Sequence, residues 1–260
     1  MNTYNIGSYS RADYPGVIDK NFKPFNPVEL AKWTESIVGD GDKRRYKNFY
    51  CTGVYSGIST GYTVGCCLRC IFCWVDLNRD FPFDSGRYYS PKEVFELLIY
   101  NAKKSGVRNL RISGGEPTLC REHLLSLLEL VSTTDYTFIL ETNGILFGYD
   151  EMYVRELKKI KQVHIRVSLK AGNGEGFEQR TGAQKKFFGL PFQAIKNLTR
   201  HKIRFHVACM SDERLMPKEE KKDLLQRLSQ IEYNGYLEEE RCDPYDTTII
   251  RLQKAGYKLF

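Results

Sequence analysis

No stretch of this chain approaches the apolar length that crosses a bilayer, and its first sixteen residues, MNTYNIGSYSRADYPG, hold no apolar leader core. The expectation is a soluble, cytoplasmic protein with no membrane partner. Histidine is scarce: His123, His164, His201 and His206 are scattered, which leaves a zinc site of three cysteines and one histidine open but without support. Internal repeats and low-complexity tracts are absent as well. The run AGNGEGF at 171–177 imitates a phosphate-binding G-x-G-x-G turn. It lacks the sixth-position glycine, and no G-K-[ST] follows.

Against these absences, the 260 residues are 42% hydrophobic and 13% aromatic, enough for one substantial core and commonly one domain. The net charge of +7 suits an acidic partner protein or RNA, although such an excess is more often a solvated surface. Eight cysteines are present, and GCCLRCIFCW at 65–74 holds four of them. Cys51, Cys120, Cys209 and Cys242 have no cluster-like spacing and read as buried thiols. In a reducing compartment, clustered cysteines point to metal binding or catalysis, and two disulfides in so short a loop are sterically awkward.

Two registers are open, Cys66/Cys70/Cys73 and Cys67/Cys70/Cys73. A structural zinc site wants four ligands in two knuckles, and no second knuckle lies nearby. A redox dithiol needs only two thiols at a helix start. Three thiolates on one tight loop after a strand suit a cubane iron–sulfur cluster with one iron left open, which can bind and activate a substrate.

Before residue 50 the chain is polar and reads as an irregular extension (1–50) ahead of a core domain (51–260). The extension carries one helix, NPVELAKWTESIV, with Asn26 as N-cap and Pro27 in its first turn, then GDGDKRRYK as a basic loop. From GYTVG onward β-rich runs alternate with amphipathic helices. The runs are GYTVG, VRNLRISG, YTFILETNG, QVHIRVSLK, KIRFHVACM and GYLEEERC. In the first of the intervening helices Ser90, Pro91 and Glu93 form a start signal and Gly106 a stop. About six parallel βα units follow, then a short helix TTIIRLQKAG. Periodicity alone leaves an open sheet and a partial barrel equally available.

C-x3-C-x2-C with Phe72 before the last cysteine resembles the radical S-adenosylmethionine (SAM) superfamily. GGEP at 114–117, ETNG at 141–144 and SLK at 168–170 follow in the order seen in pyruvate formate-lyase activating enzymes and their relatives. The resemblance covers roughly residues 55–255. It implies an α/β fold, a partial (β/α)6 barrel holding its cofactors at the strand C-terminal ends. It implies Cys66, Cys70 and Cys73 as ligands of a 4Fe–4S cluster, with Cys67 spare. SAM would lie on Gly114, Gly115 and Glu116, whose glycines allow close backbone approach and whose carboxylate accepts from the methionyl ammonium. Glu141 and Ser168 would meet the ribose, and Lys170 the carboxylate. Close activating enzymes usually carry Asp where Ser168 stands, so ribose recognition leans on Glu141. AGNGEGF becomes a flexible cap over the adenine side.

The implied activity is reductive cleavage of SAM to a 5′-deoxyadenosyl radical that abstracts hydrogen from a substrate. That substrate is a glycyl-radical partner protein in the activating subgroup, and RNA or a small molecule elsewhere in the superfamily. A flavodoxin or ferredoxin-type donor would supply the electron, steered in part by KRRYK at 43–47. The rival of another class is a non-catalytic cysteine metal or redox module.

Strand period adds the lumen. Val163, Ile165, Val167 and Leu169 share the helix-covered face, and His164, Arg166, Ser168 and Lys170 the other. Arg111, Ser113, Glu141, Arg204 and His206 join the inward set, with Arg111, His164, Arg166 and His206 as candidate substrate contacts. Either the lumen is markedly cationic or its arginines pair with carboxylates such as Glu238 and Glu240.

Overall fold

Asn26 and Pro27 start the first helix as their side chains dictate. In the computed structural model, which describes residues 11–260, helix α1 runs Pro27–Val38, and Asn26 Oδ1 accepts from the Val28 and Glu29 amides at 3.0 and 3.4 Å. The first ten residues of the expected extension lie outside the described part. The basic stretch that follows is not a loop. Strands β1 (Gly39–Asp40) and β2 (Lys43–Thr52) form an antiparallel pair. The charges of β2 hid its alternation: Arg44 and Tyr46 are fully buried beside exposed Lys43 and Lys47.

Strand β3 (Ile58–Thr63) pairs antiparallel with β2, and β4 (Arg87–Tyr89) covers the other edge of β2. Helix α2 (Pro91–Ser105) has the expected capping box, and Gly106 ends it at φ +65°. The alternation then unfolds in chain order: β5 (Asn109–Gly114), α3 (Arg121–Ser132), β6 (Thr137–Thr142), α4 (Ile145–Tyr149) and α5 (Glu151–Glu156). It continues with β7 (Val163–Leu169), α6 (Gly174–Thr181), α7 (Gly189–Arg200), β8 (Phe205–Met210), α8 (Lys218–Gln230), β9 (Leu237–Glu240) and α9 (Asp246–Lys254). The sheet order is β1-β2-β3-β5-β6-β7-β8-β9, and β3 and β5 to β9 are mutually parallel. Among the described residues β9 pairs only with β8, so the six parallel strands form an open, partial barrel widened at one edge by antiparallel strands.

Asp150 caps α5 through the Met152 amide, and α5 ends in a 3-10 turn at Leu157–Lys159. One local expectation fails for a physical reason. AGNGEGF is not a flexible cap. Asn173 caps α6 by accepting from Gly176 N at 2.8 Å, and a Cβ at Gly172 would stand 2.1 Å from Glu220 O. Gly172 and Gly176 serve close approach to Glu220 of α8.

The core follows strand period. Val163, Ile165, Val167 and Leu169 are at most 2% exposed and share one buried cluster with Leu124, Leu127 and Leu128 of α3 and Phe192, Ile195 and Leu198 of α7. Each such side chain contributes about 1.5–3 kcal/mol of burial. The opposite face lines the lumen.

Candidate active site

The C-terminal ends of β3, β5, β6 and β7 lie side by side, so the loops after them meet. Gly115 N donates to Thr63 O at 2.9 Å and Glu116 N to Gly65 O at 2.9 Å, which sews GGEP to the start of the cysteine loop. Gly115 has no room for a side chain, since a Cβ would sit 2.0 Å from Gly65 O. Its missing side chain is required by the chain's own backbone.

Glu116, 3% exposed, joins GGEP to ETNG. Its Oε1 accepts from Thr118 N at 3.2 Å, Thr118 Oγ1 at 2.7 Å and Thr142 Oγ1 at 2.7 Å; Oε2 accepts from Asn143 N at 2.9 Å. The free acceptor expected there is mostly committed, with room left at Oε2. Asn143 completes the circuit: its side-chain Nδ2 donates to Cys67 Sγ at 3.3 Å and to Cys66 Sγ at 3.8 Å. Lys170 Nζ donates to Ser168 Oγ at 2.6 Å and stands 5.8 Å from the Phe72 ring centroid, which places SLK beside the same loop.

The thiols differ in environment. Cys67 is fully buried, Cys70 is 7% exposed, and Cys66 and Cys73 are half-buried. A hydrogen bond from Cys67 brings the Cys66 thiol down to about 7, and Leu68 N donates to Cys66 Sγ at 3.4 Å. Burial pushes Cys70 up to about 12, so metal binding there must displace a proton. Among the described residues no three His, Cys, Asp or Glu side chains converge on one ion. A zinc knuckle at 66–73 is therefore poorly served, whereas a cubane spreads its thiolates over different irons and asks for wider spacing.

Below this rim the lumen is polar and paired. Glu141 accepts from Arg111 Nη1 at 3.1 Å, Ser113 Oγ at 3.0 Å and Tyr55 OH at 2.8 Å. Arg166 donates to Glu238 at 2.9 and 3.0 Å and to Glu240 at 2.8 Å, and Ser168 Oγ donates to Glu240 at 3.0 Å. Hydrogen bonding to Arg166 holds Glu238 down at about 2. The lumen is therefore not markedly cationic. Arg204 is outside it, at the foot of β8, donating to Lys161 O at 2.9 Å. His164 and His206 share a 2.7 Å hydrogen bond near the N-terminal ends of β7 and β8, away from the cysteine loop, and His206 Nε2 is 3.1 Å from Glu238.

KRRYK is a basic surface only in part, through exposed Lys43. Arg44 is wholly buried, donating to Glu116 O at 2.6 Å and to Pro117 O; Arg45 lies over the Tyr88 ring and Lys47 pairs with Asp76. Arg44 and Asn143 were not assignable from sequence. An arginine in a basic run carries no mark of a carbonyl partner 72 residues away.

The model of the radical SAM superfamily matches residues 61–231. A "Probable GTP 3',8-cyclase" of Methanococcus vannielii is 30% identical over 146 residues, covering 55% of this chain and 46% of that protein. One of Archaeoglobus fulgidus is 29% identical over 153 residues, covering 58% and 48%. The chain thus spans about half the length of these curated relatives. Streptococcus suis SuiB bound to precursor peptide SuiA superposes with TM-score 0.57 at 17% identity, covering 72% of this chain and 39% of that one. The structure of anSMEcpe with bound AdoMet gives TM-score 0.51 at 21% identity, covering 69% and 50%.

Fold and matched length together define a radical SAM enzyme core. This chain belongs to the radical SAM superfamily, whose members are enzymes that use a 4Fe–4S cluster and SAM. The activating-enzyme subgroup expected from the motifs is not the description these relatives carry.

Proposed function

We propose that Cys66, Cys70 and Cys73 hold the superfamily's 4Fe–4S cluster and that SAM lies against Gly114, Gly115, Glu116, Glu141, Ser168 and Lys170. The chain then removes a hydrogen atom from a substrate seated in the lumen. When bound, the cluster and SAM together supply a one-electron reductive cleavage that yields the adenosyl radical. The residues do the rest. Lys170 offers a charge-assisted donor to a carboxylate, the Glu116–Asn143 circuit fixes the loops, and the arginine–carboxylate pairs give the lumen walls a fixed shape.

The observation that carries this reading is the hydrogen-bonded continuity of the cysteine loop, GGEP and ETNG at one end of the parallel strands. A flavodoxin or ferredoxin-type protein is the proposed donor. Anaerobically reconstituted protein should release 5′-deoxyadenosine from SAM with reduced flavodoxin and with dithionite. Failure with both, in protein that binds iron, overturns the proposal.

Aromatic rings narrow the substrate. Tyr62 sits beside Ser113 on the lumen face, stacks on Tyr50 with centroids 4.4 Å apart, and meets Trp74 edge-on at 6.2 Å. Tyr245 lies 6.4 Å from Trp74, and Tyr50, Trp74 and Tyr245 are 44–54% exposed. This corner favours a planar ring, and the GTP cyclases named among the relatives make a nucleotide the first candidate. A glycyl-radical protein lacks this support. In a Trp33→Phe background, GTP should quench Trp74 fluorescence saturably and ribose triphosphate should not; equal effects of the two would remove the ring from the proposal.

A further inference from the structure

The bulkiest fully buried side chains among the described residues are arginines: Arg44, Arg69, Arg79 and Arg251. Three of them close on the cysteine loop: Arg69 from within it, Arg79 from the turn just after it, and Arg251 from α9. Arg69 Nη1 donates to Cys66 O at 2.8 Å, Arg79 Nη1 to Cys70 O at 2.9 Å, and Arg251 Nη1 to Cys73 O at 2.6 Å. One guanidinium thus holds the carbonyl of each cysteine in one register, and none of the three donates to Cys67 O among the described hydrogen bonds.

Further bonds fix the arginines. Arg69 Nε reaches Pro15 O at 2.5 Å. Arg251 also donates to Val75 O at 2.6 Å and Asp76 O at 3.2 Å, while Thr248 of the same helix donates to Cys73 O at 3.2 Å. The C-terminal helix α9 is thereby latched onto the loop. The charge does not balance. Asp80, fully buried, pairs with both Arg79 and Arg251, and Arg69 has no carboxylate among the described ion pairs. Arg69 Nη2 and Arg79 Nε lack any hydrogen-bond partner. Buried cations in excess cost stability unless an anion is added, and a thiolate-ligated cluster is such an anion.

We propose that Arg69, Arg79 and Arg251 are positioning residues that hold Cys66, Cys70 and Cys73 in place and, by their net positive charge, raise the reduction potential of the cluster those cysteines bind. The potential-setting part rests on the ligand assignment proposed above. The carbonyl-holding part rests on the chain alone.

The test uses the full chain as wild type, Arg69→Gln, Arg251→Gln, Arg251→Lys and Asp80→Asn. In metal-free protein, alkylation by iodoacetamide, mapped cysteine by cysteine, reads the holding role. Arg69→Gln should speed Cys66 most and Arg251→Gln should speed Cys73 most, each by about tenfold, with partial recovery in Arg251→Lys. In reconstituted protein, an EPR-monitored redox titration reads the charge role. Both Gln variants should move the midpoint to more negative potential, Asp80→Asn should move it to more positive, and Arg251→Lys should stay near wild type. If Arg251→Gln does not fold, Arg69→Gln and Asp80→Asn decide by their opposite signs. A uniform rise in alkylation across all cysteines, or midpoints that shift the same way for loss of either charge, overturns the proposal. Failure of wild type to bind iron would sink the proposed function and still leave the alkylation arm readable.

Discussion

His123 illustrates how a single buried side chain sets a pH limit on the fold. It is 1% exposed; Tyr46 OH lies 2.8 Å from its Nε2, and its Nδ1 lies 2.7 Å from Asp42 O, so the ring is held neutral. Burial lowers it from 6.5 to about 4. Between those values the unfolded chain binds the proton and the folded one does not. Its contribution is complete above pH 6.5 and is lost as the pH falls to about 4, amounting to about 3 kcal/mol. The urea midpoint of wild type should therefore drop more steeply over that interval than that of His123→Gln; parallel curves would contradict the assignment. Lys170 gives a second residue-level expectation. Lys170→Ala should weaken SAM binding by about 1.5–3 kcal/mol, read by calorimetry on reconstituted protein, and leave iron content unchanged. The runs GGEP, ETNG and SLK could be picked out because they are short and stand in fixed order, and the structure brings them to one end of the sheet. The pairing of Arg166 was not, since strand period gives the face of a side chain and not its partner: Glu238 and Glu240 lie more than seventy residues on.

At the level of elements, the strand and helix rhythm from β3 onward was readable because each element carries its own pattern and caps, as in the Ser90–Glu93 box of α2. Strand β2 escaped because Lys43, Arg44, Arg45 and Lys47 resemble a solvated run, while Arg44 is buried with carbonyls accepting its hydrogen bonds and Tyr46 stacks with Phe49 at 5.2 Å. α6 escaped because Gly172, Gly174 and Gly176 read as a flexible turn, whereas Gly172 and Gly176 pack against Glu220. Glycine also marks a tight junction between elements. Gly115→Ala forces backbone apart at the β5 end and should cost about 1–3 kcal/mol in thermal or urea unfolding. It should also lower iron retention by loosening the cysteine loop. Gly189→Ala, with nothing within 4 Å, should stay within about 0.5 kcal/mol of wild type. Equal effects of the two would mean the Gly65 contact does not hold the loop.

Across the whole molecule, residues far apart in sequence close on one loop. Pro15 takes Arg69, the end of α6 receives Arg69 N at 2.8 Å and Ile71 N at 3.0 Å through Thr181 O and Arg180 O, and α9 supplies Arg251. None of this long-range closure is written in local pattern, which is why the ligand register stayed open in the sequence while the parallel fold did not. No helix among the described residues is long and apolar enough to cross a membrane. The central claim is that three particular thiols, held by this closure, carry the chemistry. Its most direct test is iron content and 5′-deoxyadenosine formation in anaerobically reconstituted Cys66→Ala, Cys67→Ala, Cys70→Ala and Cys73→Ala proteins. The account predicts about four irons and SAM cleavage in wild type and Cys67→Ala, with SAM cleavage abolished in the other three. An active Cys66→Ala protein beside an inactive Cys67→Ala protein would contradict it.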